Sequence, residues 1–248
     1  MNHLLSATDA GVLTLTLNRA DALNAITPPM LESLAAALED AAVDTDVRLV
    51  VITGAGRAFS AGVDLKALGG RPIEQGKVGD ILDVPARAAL ACIESMSKPV
   101  VAKVNGHCFT GALEIVLACD LVYAAREAKF GDTHAKWGVR PTWGMTQRLP
   151  RKVGVSIARE LGLTARTFTA DEALAWGLAN GVAPAAELDA LVDTRIAQIL
   201  ENSADVLAAY KDLWRRSFGL PLADGLAVEA NNDYEISDTG TRLAAFLT

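Results

Sequence analysis

Pro99-Val100-Val101-Ala102-Lys103-Val104-Asn105-Gly106 is a valine-rich run closed by Asn-Gly, Gly111-Ala112-Leu113-Glu114-Ile115-Val116-Leu117-Ala118 is apolar apart from one glutamate, and Asp120–Ala124 is apolar again. They read as strand, helix and strand, a β-then-α rhythm that predicts an α/β fold. Upstream, Leu49-Val50-Val51-Ile52-Thr53-Gly54 is a second such run. Its composition fits a strand buried on both faces in a sheet covered by helices. Residues 54–62 read as loop. Nearer the N-terminus, Val12–Leu17 alternates apolar residues with Thr after Asp9-Ala10-Gly11, which predicts a hairpin. Thr27 offers a helix cap with Pro28 at the first helical position, and Met30, Leu31, Leu34, Leu38 and Ala41 recur at helical period.

Residues 69–80 carry Gly69, Gly70, Gly76 and Gly79 and read as a mobile surface excursion, before a second helix from about Val84 to Met96. Thr169-Ala170-Asp171-Glu172 fits a capping box. Beyond it the pattern is helical: Glu187–Glu201, Ala204–Phe218, Leu222–Glu235 and a last piece ending at Phe246. The expected division is an α/β body, residues 1–186, and a helical region, residues 187–248. No repeat at a fixed period and no low-complexity segment is visible.

With 23 basic and 30 acidic residues among 248, the net charge is −7. No block of like charge accompanies it, so nucleic acid and anionic membranes are not expected partners. Lys103, Glu114 and Asp120 interrupt the apolar runs well short of the roughly 20 residues that span a bilayer. The first residues, Met1-Asn2-His3-Leu4-Leu5-Ser6, show no basic segment followed by an apolar one, and no signal peptide is expected. Cys92, Cys108 and Cys119 are odd in number and sit in apolar stretches, which fits buried free thiols and a cytoplasmic protein.

Two glycine-bearing turns follow buried strands: Ser60-Ala61-Gly62-Val63-Asp64-Leu65 and Phe109-Thr110-Gly111-Ala112-Leu113-Glu114. Each reads as leading into a helix start, where the first N–H groups lack intrahelical partners. Brought together, two such donors would form an oxyanion hole; taken by themselves, the glycines read first as tight-turn residues. Glu114 stands in the first turn of an apolar helix, either as a charge favoured by the helix N-terminus or as a functional carboxylate. His134, in Gly131-Asp132-Thr133-His134, reads on local sequence as a surface-loop histidine, although its ordinary pKa near 6.5 suits acid–base work. His107 reads as packing, since it and Cys108 would point to opposite faces of a strand. Gly54-Ala55-Gly56-Arg57-Ala58-Phe59 fails the dinucleotide fingerprint at Phe59, no Gly-Lys-Ser or Gly-Lys-Thr is present, and Asp132 with His134 lacks a third metal ligand. No metal is expected.

Taken in order, several segments resemble the crotonase, or enoyl-CoA hydratase/isomerase, superfamily. They are Leu17-Asn18-Arg19, Leu23-Asn24-Ala25-Ile26, Phe59-Ser60-Ala61-Gly62-Val63-Asp64-Leu65-Lys66, Lys98-Pro99-Val100-Val101-Ala102, Asn105-Gly106, Gly111, Glu114, Cys119-Asp120, Pro141, Gly144 and Thr146-Gln147-Arg148-Leu149. The resemblance implies a spiral of β-β-α turns with a C-terminal helical oligomerisation region that forms trimers or dimers of trimers. It implies an acyl-CoA substrate, with CoA as part of the substrate and no separate cofactor. It places the oxyanion hole at the N–H groups of Val63 and Gly111, and CoA contacts at Asn24, Ala25, Ile26, Ala61, Gly62, Asp64, Leu65 and Lys66. It implies an enolate-type reaction, most simply hydration of an enoyl-CoA.

The chain departs from the hydratase pattern in places. Glu114 matches the first of the family's two glutamates, but His134 occupies the position of the second. The implied division of labour is a water oriented or deprotonated by Glu114 at the β carbon, and an α proton exchanged by His134, with an activity limb near the imidazole's own pKa. A CoA-thioester hydrolase, decarboxylase or C–C bond lyase with His134 as base is the alternative, or an acyl-CoA binder without turnover. Trp137, Arg140 and Trp143 fall at acyl-pocket positions that are usually small or aliphatic. The sequence stops at Thr248 without the basic, aromatic tail that often follows in the family, so Arg19 or Lys66 is expected to carry more of the phosphate interaction.

Overall fold

Three successive segments repeat one pattern: a strand for a large sheet, a short strand for a small sheet, then a helix. The computed structural model describes residues 3–68, 70 and 73–246. It opens with the antiparallel hairpin β1 (Leu4–Asp9) and β2 (Val12–Leu17), followed by α1 (Pro28–Val43). The repeats are β3 (Leu49–Gly54), β4 (Ala58–Ser60) and α2 (Asp80–Ser95), then β5 (Val100–Val104), β6 (His107–Phe109) and α3 (Gly111–Ala118). The third turn is β7 (Leu121–Ala125), β8 (Lys129–Gly131) and α4 (Met145–Val153). Then come α5 (Val155–Thr164), β9 (Thr167–Thr169), α6 (Ala170–Ala175) and β10 (Gly181–Ala183). The helices α7 (Leu188–Leu200), α8 (Ala204–Ser217), α9 (Leu222–Ala230) and α10 (Thr239–Phe246) close the described chain.

The large sheet has the order β1-β2-β3-β5-β7-β10 and the small one β4-β6-β8-β9. Among the strands named here β1–β2 and β8–β9 pair antiparallel and the others pair parallel, each parallel neighbour in sequence, such as β3 and β5, being reached by a crossover that contains a helix. The chain is therefore an α/β spiral of β-β-α turns with helices at its C-terminal end. Every residue of β3 is buried, as expected of a central parallel strand. The Thr27 side chain caps α1, and Thr169 with Glu172 forms the reciprocal capping box of α6.

Several boundaries differ from the sequence expectation. The segment read as loop between Gly54 and Gly62 contains β4, and β10 was not expected; three residues are too few to show a period. Helix α2 starts at Asp80, with Asp80 and Asp83 in its first turn and Pro85 inside it. Helix α9 stops at Ala230, where the amides of Asn231 and Asn232 turn back onto the carbonyls of Ala227 and Val228. Of the glycine-rich excursion, Gly69 lies outside the described residues; further on, the Gly76 carbonyl accepts the Arg140 N–H at 2.8 Å and Val78 is buried, so this part packs down rather than standing free. Met1, Asn2, Leu247 and Thr248 also lie outside the described residues.

Helix α8 is tied to the body by Lys211, 8% exposed, whose ammonium donates to the carbonyls of Ile93 and Lys98 and pairs with Asp120 at 2.5 Å. Elsewhere α8 to α10 leave Trp214, Phe218, Leu222, Leu226, Leu243 and Phe246 exposed. Among the described residues, no helix is long and apolar enough to cross a membrane.

Candidate active site

The two glycine turns meet. Gly62 has φ +92°, and a Cβ there would lie 2.1 Å from Thr110 Oγ1 and 2.8 Å from the Phe109 carbonyl, so only glycine permits this approach. The turn after β4 does not open into a helix as expected: Val63 pairs with Ile26 in a parallel bridge. That bridge uses the Gly62 carbonyl, which accepts the Ile26 N–H at 2.8 Å, and the Asp64 N–H, which donates to Ile26 at 2.9 Å. The Val63 N–H is left facing away from Ile26, and Val63 lines a cleft.

Thr110 holds φ +48° and ψ −116°, a left-handed conformation unfavourable for a β-branched residue, and its N–H donates to the Gly131 carbonyl. The next residue, Gly111, begins α3, so its N–H has no acceptor in the helix. A Cβ on Gly111 would lie 2.4 Å from the buried Trp143 ring. Among the described residues neither the Val63 nor the Gly111 N–H has a hydrogen-bond partner, and both residues line the same cleft. Two unpartnered N–H groups on one cleft are the kind of donor that can stabilise charge developing on an oxygen.

Glu114, 2% exposed, sits one turn into α3 but does not serve that helix's N-terminus. Its Oε1 accepts the N–H groups of Trp143 at 3.0 Å and Met145 at 2.9 Å, where α4 begins. The carboxylate thus caps the next helix and turns Oε2 toward His134 Nε2, 3.5 Å away. His134 is no surface-loop residue: it is 8% exposed and its Nδ1 lies 2.6 Å from Asp132 Oδ1. Burial opposes its charged form, but the hydrogen bonds and charges of Asp132 and Glu114 prevail and raise its pKa to about 9. At neutral pH the ring is an imidazolium between two carboxylates, not the imidazole titrating near 6.5 expected from sequence.

The cleft has about 290 Å³ of space, and its lining includes Glu114, His134, Trp137, Arg140, Thr142 and Trp143 together with Ala25, Ala61, Asp64, Leu65 and Lys66. Of the expected contacts, Asn24, Ile26 and Gly62 do not line it. The Asn24 side chain accepts the Arg19 N–H and donates to the carbonyls of Ala55 and Ala58, fastening the loops that Ala25 and Ala61 occupy. Arg19 does not line the cleft; one guanidinium nitrogen, Nη1, holds the Ala25 carbonyl and pairs with Asp64 at 3.0 Å, bracing the loops that do. Burial would raise the Asp64 carboxyl, but Arg19 and the N–H groups of Ala67 and Lys66 hold it below the usual range. Lys66 is exposed at the mouth of the cleft.

Three contributors were not legible as such in the sequence. Asp132 is the carboxylate partner of His134. Asp83, 2% exposed in α2, accepts hydrogen bonds from the Trp143 indole and the Thr142 hydroxyl, both at 2.7 Å, and fixes the wall against Gly111. Thr110 aims the second N–H. Asp83 stands in the first turn of α2, where an acid reads as favoured by the helix N-terminus, so the sequence does not mark its buried acceptor role. His107 stacks on Phe109, as packing was expected to do. Among the described residues no cluster of three or more His, Cys, Asp or Glu is placed to hold a metal.

Residues 7–244 match the family model described as Enoyl-CoA hydratase/isomerase. The chain is 38% identical to an Arabidopsis thaliana protein named "Probable enoyl-CoA hydratase 1, peroxisomal", over 88% of this chain and 80% of that one. It is 35% identical to the 2,3-dehydroadipyl-CoA hydratase of Escherichia coli (strain K12), over 92% and 88%. The crystal structure of an enoyl-CoA hydratase from Bacillus anthracis superposes with a TM-score of 0.87 at 32% identity, covering 92% of this chain and 88% of that one.

Proposed function

The chain belongs to the enoyl-CoA hydratase/isomerase family, as an acyl-CoA enzyme, and we propose that it adds water across the 2,3 double bond of an enoyl-CoA, with Glu114 and His134 as its catalytic pair. The observation that carries this reading is the approach of Glu114 Oε2 and His134 Nε2 in the cleft that the unpaired N–H groups of Val63 and Gly111 also line. Those N–H groups receive the thioester oxygen. As Glu114 takes a proton from water, the water oxygen bonds to the β carbon and the π electrons move onto the oxygen in the hole as an enolate. The imidazolium Nε2–H then protonates the α carbon. Glu114 is left protonated and His134 neutral, and one proton transfer across the 3.5 Å contact restores both. One water is consumed, and no cofactor beyond the CoA ester takes part.

A hydrolase, decarboxylase or lyase using His134 as base is less well served, because the ring already carries its proton at pH 7. Ala25, Ala61, Leu65 and Lys66 are assigned to CoA, with Lys66 near its phosphates, while Asn24, Ile26, Gly62 and Asp64 shape those loops. Trp137, Arg140 and Trp143 bound the acyl group. Residues 1–186 form the acyl-CoA-binding body, and residues 187–248 the region through which cytoplasmic homotrimers or dimers of trimers assemble, supported by the exposed apolar side chains of α8 to α10. Glu114→Gln and His134→Ala should each slow hydration of a short trans-2-enoyl-CoA by about 10²-fold or more. Unchanged hydration in either variant overturns the assignment.

A further inference from the structure

We propose that Asp132 is a positioning residue for this reaction: by holding Nδ1–H of His134 it presents Nε2–H to the cleft. The inference rests on the role just given to His134. The Asp132 carboxylate lies 2.6 Å from Nδ1, and the same oxygen faces the His134 N–H at 3.4 Å. It is only 7% exposed, at the end of β8, whose last carbonyl, that of Gly131, also accepts the Thr110 N–H of the oxyanion turn. Gly162 of α5 lies behind it, where a Cβ would come 3.4 Å from Asp132 Oδ2. The carboxylate is therefore buried against α5 on one side and presents Oδ1 to His134 on the other.

A glutamate at position 134 would carry a transferable proton on its own carboxyl. An imidazole is different: when neutral it holds one proton on either nitrogen, and a ring protonated at Nδ1 alone has nothing to give from Nε2. A carboxylate on Nδ1 settles both problems, fixing the ring's orientation and favouring the doubly protonated form. The charged groups around the ring are Asp132, Glu114 on α3, Lys136 on the turn that follows, Arg140 lining the cleft, and Arg151 and Arg159 lining the groove that Asp132 and His134 border on α4 and α5. Burial opposes a charged imidazole, and Asp132 and Glu114 are what sustain it.

The test uses the full chain with Asp132→Asn, Asp132→Ala and Asp132→Glu. The protein contains three histidines, so the ring nitrogens of His134 can be followed by NMR titration without substrate. In Asp132→Asn and Asp132→Ala the His134 titration should move down by a pH unit or more. The alkaline limb of kcat/KM should move with it, and kcat should fall about tenfold or more while KM stays within about threefold. Asp132→Glu should recover part of the loss. An unmoved titration and limb overturn the proposal even if activity falls, because a merely structural aspartate would lower activity without them. If His134→Ala hydrates normally, it is the catalytic reading of His134 that fails, while the titration still decides whether Asp132 sets the state of the ring.

Discussion

The groups converging on the cleft are of two kinds. Val63 and Gly111 contribute backbone N–H groups whose direction is set by chain geometry: a left-handed glycine, a strained Thr110, a bridge to Ile26 that leaves Val63 facing outward. Glu114 and His134, the latter with Asp132 behind it, contribute side chains whose usefulness depends on protonation, and that is set by neighbours. The first set is indifferent to which side chain stands at position 63 and intolerant of any side chain at 62 or 111. The second tolerates changes of shape better than changes of charge.

The largest expected effect separates the two kinds of group at one stroke. Gly111→Ala places a methyl against the Trp143 ring and displaces the N–H, so kcat/KM for hydration should fall about 10³-fold, whereas Val63→Ala, which keeps its N–H, should change it less than about threefold. Equal losses would dissolve the distinction. A steady-state comparison on one enoyl-CoA suffices.

The next effect concerns charge. In the proposed reaction, hydration begins from carboxylate and imidazolium, and dehydration from their proton-exchanged form, so both directions need the same total protonation of the pair. Both should decline as pH rises through about 9, the raised value of His134, and neither should show a limb near 6.5. The same shift fixes a stability term: a raised histidine stabilises the fold fully below its unfolded value of about 6.5, and the contribution is lost as pH rises through about 9. Thermal melts of wild type and His134→Ala across that range should converge at the alkaline end.

A smaller effect tests how the first set is supported. Asp83→Ala removes the acceptor of the Trp143 indole and the Thr142 hydroxyl, and should lower the unfolding free energy by about 1–3 kcal/mol while raising KM more than it lowers kcat. Lys66→Ala, at the exposed mouth, should raise KM only about three- to tenfold with kcat unchanged. Chemical denaturation and saturation kinetics check each.

The same contrast governs what could be read from sequence. Valine-rich β3 and β5 and the capping box of α6 are local patterns and were legible, while three-residue strands such as β4 carry too little pattern. Glu114 stood out as a carboxylate in an apolar helix, but its acceptor role at Trp143 and Met145 lies some thirty residues downstream. His134 read locally as a loop residue because nothing near it in sequence reveals burial, and only the resemblance placed it opposite Glu114. Asp132 was visible two positions away, yet its bearing on the ring depends on a turn geometry that sequence does not specify.

The most direct test of the proposed reaction is product analysis by mass spectrometry and NMR after incubation of a short trans-2-enoyl-CoA with the enzyme in D₂O. The proposed reaction yields a 3-hydroxyacyl-CoA that carries one deuterium at the α carbon, formed by wild type and suppressed in Glu114→Gln. Release of free CoA, or recovery of the enoyl ester without hydration, would contradict it.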